Sequence, residues 1–145
     1  MSDVTNSLYT IEALASGDGR NGHVTSTTGR IDTDLAVPKE MGGSGANLPN
    51  PEEFFAAGYA ACFHSALQAV ARSQKAELGD SSVGARVSIG SNGEGGFGLV
   101  VELEVVIPAQ PHDAAQALAD AAHQVCPYSN ATRGNIPVTV TVSDD

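Results

Sequence analysis

Apolar side chains occupy every second position in Leu99, Val101, Leu103, Val105 and Ile107, which predicts a strand from Phe97 to Ile107 stopped by Pro108. Val83, Ala85, Val87 and Ile89 alternate in the same way. The glycine-rich turn from Gly90 to Gly96 joins the two runs into the strongest hairpin of the chain. Val138, Val140 and Val142 alternate with Thr139 and Thr141 in a last strand. Alternation is weaker toward the N-terminus. There Tyr9, Ile11, Ala13 and Ala15 interleave with Thr10, Glu12 and Leu14. The cluster from Ser16 to Gly22, with its Asn21-Gly22 pair, predicts a turn, a second strand from His23 to Thr28, and a third from Leu35 to Val37 ended by Pro38.

Two stretches change period. Asn50 suits a helix cap, Pro51 the first helical position and Glu53 the third. The residues from Phe54 to Val70 are apolar almost all round as far as His64, which predicts a helix buried on most sides there and ending near Leu78-Gly79. A second helix spans about Pro111 to Val125, with Ala114, Ala117, Leu118, Ala121, Ala122 and Val125 as its apolar stripe. It stops at Cys126 because proline disfavours helix at the residue before it. Strands, helix, hairpin, helix, strand make an α+β domain, and 145 residues suit one domain over 1–145.

Composition narrows the function. Hydrophobic residues are 41% of the chain, enough for a core, and the net charge is -10. Nucleic-acid binding rests on clustered cations, so this balance argues against it, and against docking on anionic membrane. No apolar run is read as long enough to cross a membrane, and Met1 to Asn6 lacks the basic and apolar regions of a signal peptide. The expectation is a cytoplasmic protein. The run Gly42-Gly43-Ser44-Gly45 lacks the lysine of a phosphate loop and reads as a flexible connection.

Two cysteines in a reducing compartment are core thiols, metal ligands or redox groups. Cys62 sits in the apolar helix. Burial disfavours its thiolate and lifts its pKa above the free value of ~8.5, so a reactive Cys62 needs a cation. Cys126 ends the second helix, where partial negative charge does not favour a thiolate. It is the weaker nucleophile and the better resolving partner. His64 lies about 200° around the helix from Cys62 and does not pair with it as a base. His123 and Cys126 share a helix face, and with Cys62 and His64 they form a remote metal alternative that lacks a metal-binding spacing. No metal is expected. There is no Gly-x-Ser-x-Gly elbow of a serine hydrolase.

The segment from Asn50 to Phe63 strongly resembles the helix of the organic hydroperoxide resistance (Ohr) proteins, within the Ohr/OsmC group. Val125-Cys126-Pro127-Tyr128-Ser129-Asn130-Ala131-Thr132-Arg133-Gly134-Asn135-Ile136 resembles their second cysteine motif. Gly19 to Gly22 and Lys39 to Gly43 also fit, and the resemblance runs from about Tyr9 to Val142. It implies an OsmC-like fold of antiparallel sheets packed on two main helices, in an intertwined homodimer. It implies a thiol peroxidase that reduces alkyl and fatty-acid hydroperoxides, with Cys62 peroxidatic, Cys126 resolving, and Arg20 with Glu52 activating Cys62. No cofactor is bound in such a protein. Its electron donor is dihydrolipoamide or a lipoylated enzyme.

In that chemistry the Cys62 thiolate attacks the peroxide, becomes a sulfenic acid, and condenses with Cys126. Phe54, Phe55, Tyr59, Phe63, Met41, Phe97 and Tyr128 are candidates for an apolar substrate pocket, and most of them suit the core equally well. The alternative from another class is a redox sensor whose disulfide reports oxidation without sustained turnover. One geometric tension remains. On a straight helix Glu52 and Cys62 stand about 15 Å apart along the axis. Either the helix breaks near Gly58, or Arg20 and Glu52 reach the Cys62 of a partner chain.

Overall fold

In the computed structural model, residues 4–144 are described. The chain runs β1 (Ala13–Ser16), β2 (His23–Ser26), β3 (Asp32–Asp34), α1 (Pro51–Gln74), β4 (Ser82–Ser91), β5 (Phe97–Val106), α2 (His112–Val125), α3 (Pro127–Thr132) and β6 (Val138–Ser143). Single 3-10 turns lie at Gly19–Asn21 and Lys39–Met41. The chain divides into two units, one up to Phe54 and one from Phe55 onward.

The first unit is a three-stranded antiparallel sheet in the order β1-β2-β3. The third strand is Asp32–Asp34 rather than Leu35 to Val37. Cross-strand polar contacts select this register. The His23 ring spans both aspartates, with Nδ1 2.7 Å from Asp34 and Nε2 2.6 Å from Asp32. These two hydrogen bonds push the His23 pKa up, and the contact pushes Asp32 down. Leu35 and Ala36, the apolar pair that suggested a strand, are buried just beyond it. Strand β1 is exposed along its whole length, and Leu8, Tyr9 and Leu14 are 94%, 71% and 71% exposed.

The second unit is built on the sheet β4-β5-β6. Strands β4 and β5 pair antiparallel with Val83 opposite Val105, Ala85 opposite Leu103, Val87 opposite Val101 and Ile89 opposite Leu99, so one face is apolar throughout. Strand β6 adds Val138, Val140 and Val142 to that face, but it lies parallel to β5. The sheet is therefore mixed, not antiparallel. A parallel pair needs a long crossover, and α2 with α3 supplies it.

Tyr59, Phe63, Ala66, Leu67, Val70 and Ala71 on α1 and Ala115, Leu118, Ala119 and Ala122 on α2 belong to one core with Val101, Leu103 and Val105. A side chain of the leucine or phenylalanine class contributes about 1.5–3 kcal/mol when fully buried. The α2 stripe is turned from the expected one: Ala115 and Ala119 are buried while Val125 is 51% exposed. Alanines on several faces leave the helical period ambiguous. Helix α1 is likewise not buried on most sides, since Ala57 and Ala61 are exposed. It is long and apolar enough to cross a bilayer by length and composition, contrary to the sequence reading, but its stripe from Tyr59 to Ala71 is committed to the protein core. It also ends at Gln74, four residues before Leu78, with Lys75 in the left-handed region at φ 56°.

Candidate active site

Arg20 stands on the short 3-10 turn between β1 and β2. Gly17 and Gly19 take positive φ there, and a Cβ on Gly22 would run into the Ser16 carbonyl, so the tight turn requires glycine. Asn21 fixes the loop from the other side, its Oδ1 accepting from the Val37 N–H at 3.1 Å. Thus held, the Arg20 guanidinium donates to both carboxylate oxygens of Glu52, at 2.6 and 2.8 Å. This fork is the strong form of the ion pair. It holds the Glu52 carboxyl below its ordinary range and lifts Arg20, with the hydrogen bond as the main cause in both. Glu52 lies in the first turn of α1, whose start is set by Asn50 as expected: its Oδ1 accepts from the Glu53 N–H at 2.9 Å.

Cys62 sits on α1, half-buried, while Cys126 is fully buried. Cys126 both closes α2 and caps the start of α3. The partial negative charge at the end of α2 is therefore only one of its two helix-end environments. The two thiols are close enough for Cys126 to act on the ionisation of Cys62. Burial pushes the Cys62 thiol up, the Tyr128 backbone N–H pulls it back, and Cys126 pushes it up again.

Next to Cys126 opens an apolar groove of about 460 Å³, lined by Pro127, Tyr128, Ala131, Ile136, Leu99 and Phe55. Two of its wall residues, Phe55 and Tyr128, pack edge to face with ring centroids 6.0 Å apart, and Tyr59 backs Tyr128 in a tilted contact at 5.5 Å.

These two cysteines, the arginine–glutamate fork and the groove can be set beside known proteins. Residues 43–141 match the OsmC-like protein family. An organic hydroperoxide resistance protein of Xanthomonas axonopodis pv. citri is 51% identical over 137 residues, covering 94% of this chain and 95% of the relative. The chain belongs to the Ohr branch of the OsmC-like family. Two crystal structures of organic hydroperoxide resistance proteins agree in fold. The one from Elizabethkingia anophelis has a TM-score of 0.92 at 52% identity and covers 97% of this chain and 100% of its own. The one from Legionella pneumophila has a TM-score of 0.91 at 51% identity, covering 95% and 99%.

Within this Ohr chain the candidate pocket residues differ in burial. Phe55 and Tyr128 line the groove. Tyr59 and Phe63 are closed off in the core at 0% exposure, Phe97 is 73% exposed at the start of β5, and Phe54 and Met41 lie in the first unit. The four residues weighed as metal ligands do not gather. His64 Nε2 lies 3.0 Å from Ser81 Oγ and His123 Nδ1 2.7 Å from Ser129 Oγ. No group of three His, Cys, Asp or Glu suited to a metal occurs among the described residues. The sequence reading misses Leu99 and Ile136 as groove residues, since it places Leu99 on the alternating face of its strand and Ile136 only at the end of the second cysteine motif. It also missed α3 itself, because Pro127 was read as a stop and is equally a good first helical residue.

Gly58, in the interior of α1, is explained by Tyr128. A Cβ there would lie 2.5 Å from Tyr128 Oη and 3.1 Å from its Cζ. Gly58→Ala gains up to about 1 kcal/mol of helix propensity. Overpacking against a ring held by Phe55 and Tyr59 costs about 1–3 kcal/mol. We expect a net loss near 1 kcal/mol. Urea unfolding checks this, and a more stable variant would show that Tyr128 moves aside freely.

Proposed function

We propose that this protein is a cysteine peroxidase for organic hydroperoxides. The observation that carries the reading is the closeness of Cys126 to Cys62, whose ionisation it shifts, beside an apolar groove. The Ohr relatives, named for organic hydroperoxide resistance, support a peroxide-detoxifying redox role. The Cys62 thiolate attacks one peroxide oxygen, the O–O bond breaks, and the departing alkoxide takes a proton to leave as the alcohol. Cys62 is oxidised to a sulfenic acid. The Cys126 thiol then attacks that sulfur, expelling water and forming the Cys62–Cys126 disulfide. A dihydrolipoyl dithiol reduces the disulfide by exchange and is itself oxidised to the cyclic disulfide. The groove favours alkyl and fatty-acid chains over hydrogen peroxide, which gains nothing from apolar walls.

Arg20, oriented by Glu52, supplies the cation that a buried thiol needs, and stabilises the departing oxygen. Helix α1 is unbroken through Gly58, which removes the first of the two geometric options. In this reading the fork serves Cys62 of a second copy. The exposed apolar side chains of Leu8, Tyr9, Ile11 and Leu14 support an intertwined homodimer. Both units then act as one domain, in the cytoplasm, where the two thiols stay reduced between turnovers.

The test is consumption of tert-butyl hydroperoxide by the purified protein with dihydrolipoamide, thioredoxin or glutathione as reductant. Sustained turnover with dihydrolipoamide is expected. A single stoichiometric oxidation with every reductant would make the protein a sensor instead.

A further inference from the structure

Beneath the groove lies a chain of buried polar side chains that the proposed chemistry does not use. Tyr59 Oη is 2.9 Å from Ser129 Oγ and 3.1 Å from Thr132 Oγ1. His123 Nδ1 is 2.7 Å from Ser129 Oγ, and Thr132 Oγ1 lies 3.3 Å from the Ser129 carbonyl. Tyr59 and Ser129 are at 0% exposure and Thr132 at 5%.

Counting protons fixes the direction of these bonds. The Ser129 carbonyl only accepts, so Thr132 donates to it. Tyr59 must then donate to Thr132, Ser129 to Tyr59, and His123 from Nδ1 to Ser129. Every proton is used once and each contact is satisfied. Burial and the charge of Arg133 push His123 down, which keeps the ring neutral with its proton on Nδ1.

The chain joins three elements: Tyr59 belongs to α1, His123 to α2, and Ser129 with Thr132 to α3. Helix α3 has only six residues, far too short to hold its shape alone. It nevertheless carries Cys126 at its cap and Tyr128, whose backbone lowers the Cys62 pKa. Arg133 adds a second tie, donating to the His123 carbonyl and, at 2.9 Å, to Asn130.

We propose that Tyr59, Ser129, Thr132 and His123 are positioning residues that hold α3 on α1, so that Cys126 stays in reach of Cys62 and the resolving step outruns further oxidation. This rests on the peroxidase reading for its consequence, since Cys126 must meet a Cys62 sulfenic acid before a second peroxide does. Removing the Tyr59 hydroxyl leaves buried partners unpaired without altering the ring's packing.

The experiment uses the full chain carrying Tyr59→Phe and, separately, Ser129→Ala, with folding checked by thermal unfolding. Diamide, a diazene that takes two electrons and two protons from a dithiol, drives Cys62–Cys126 closure without any peroxide. Closure is expected to slow about tenfold in each variant, the effect of losing one buried hydrogen bond. Under excess tert-butyl hydroperoxide, mass spectrometry should find more Cys62 sulfinic acid than in the parent. Closure at the parent's rate in either folded variant would overturn the proposal. Should the parent itself consume no organic hydroperoxide, the peroxidase reading fails on that result alone, while diamide closure still decides whether the hydroxyl chain positions Cys126.

Discussion

Cys62→Ser is expected to reduce hydroperoxide turnover to the rate of the uncatalysed mixture. The effect is complete because the step is a two-electron oxidation of the attacking atom. Sulfur accepts the peroxide oxygen as a sulfenic acid, and a serine oxygen has no corresponding state. The alternative explanation, collapse of the fold, is weak. The side chain is only half-buried, and exchanging sulfur for oxygen there costs at most about 1–2 kcal/mol. The melting temperature should therefore stay close to the parent's while activity vanishes. Cys126→Ser separates the two sulfurs. Its first turnover should persist, since the nucleophile is intact, and later turnovers should fail as Cys62 advances to the sulfinic acid. Full activity in Cys62→Ser, measured by peroxide consumption with dihydrolipoamide, would end the reading.

How far the sequence anticipates this site depends on which forces act locally. The start of α1 is legible because the Asn50 cap and Pro51 are bonded within a few residues. Its end is not. Leu78-Gly79 looks like a stop, but Lys75 turns left-handed earlier, as the Ala76 N–H finds the Ala71 carbonyl at 2.9 Å. The hairpin β4–β5 is legible because its period of two meets a burial pattern of the same period. The parallel pairing of β6 is not, since alternation says nothing of direction. At the site, both cysteines stand out from the sequence, but their contact arises across α1 and α3, and α3 is hidden behind a proline. The fork between Arg20 and Glu52 joins residues 32 apart, so it entered through family resemblance rather than spacing. From the sequence, Tyr59 is a pocket candidate that suits the core equally well and His123 a member of the metal alternative. Their hydrogen bonds through Ser129 depend on tertiary packing that no local pattern encodes.

Arg20→Met is expected to slow peroxide reduction about 100-fold at neutral pH, the scale of losing one preorganised charge at a reacting centre. The argument starts from the direction of the Cys62 shift. Burial, the first cause, raises its pKa, so without a cation little thiolate exists near neutrality. In the proposed two-copy site, removing the guanidinium takes away the compensating charge, and each unit of upward shift costs about tenfold in thiolate below the pKa. The loss should therefore shrink as pH rises and the thiol ionises unaided. Glu52→Gln leaves the cation but frees its fork, so a smaller loss, about tenfold, is expected from the broken charge-assisted pair. Glu52 sets the acid limit as well. Its carboxyl is held below its ordinary value of 4.5, so the fork persists above that value and is released only as pH falls through the depressed one. Alkylation of Cys62 by iodoacetamide, followed across pH, reads the thiolate without reference to any peroxide. Its midpoint should move up in Arg20→Met and, by less, in Glu52→Gln. If both variants alkylate with the parent's midpoint, Arg20 does not ionise Cys62, and any loss of turnover they show would have to come from the departing oxygen alone.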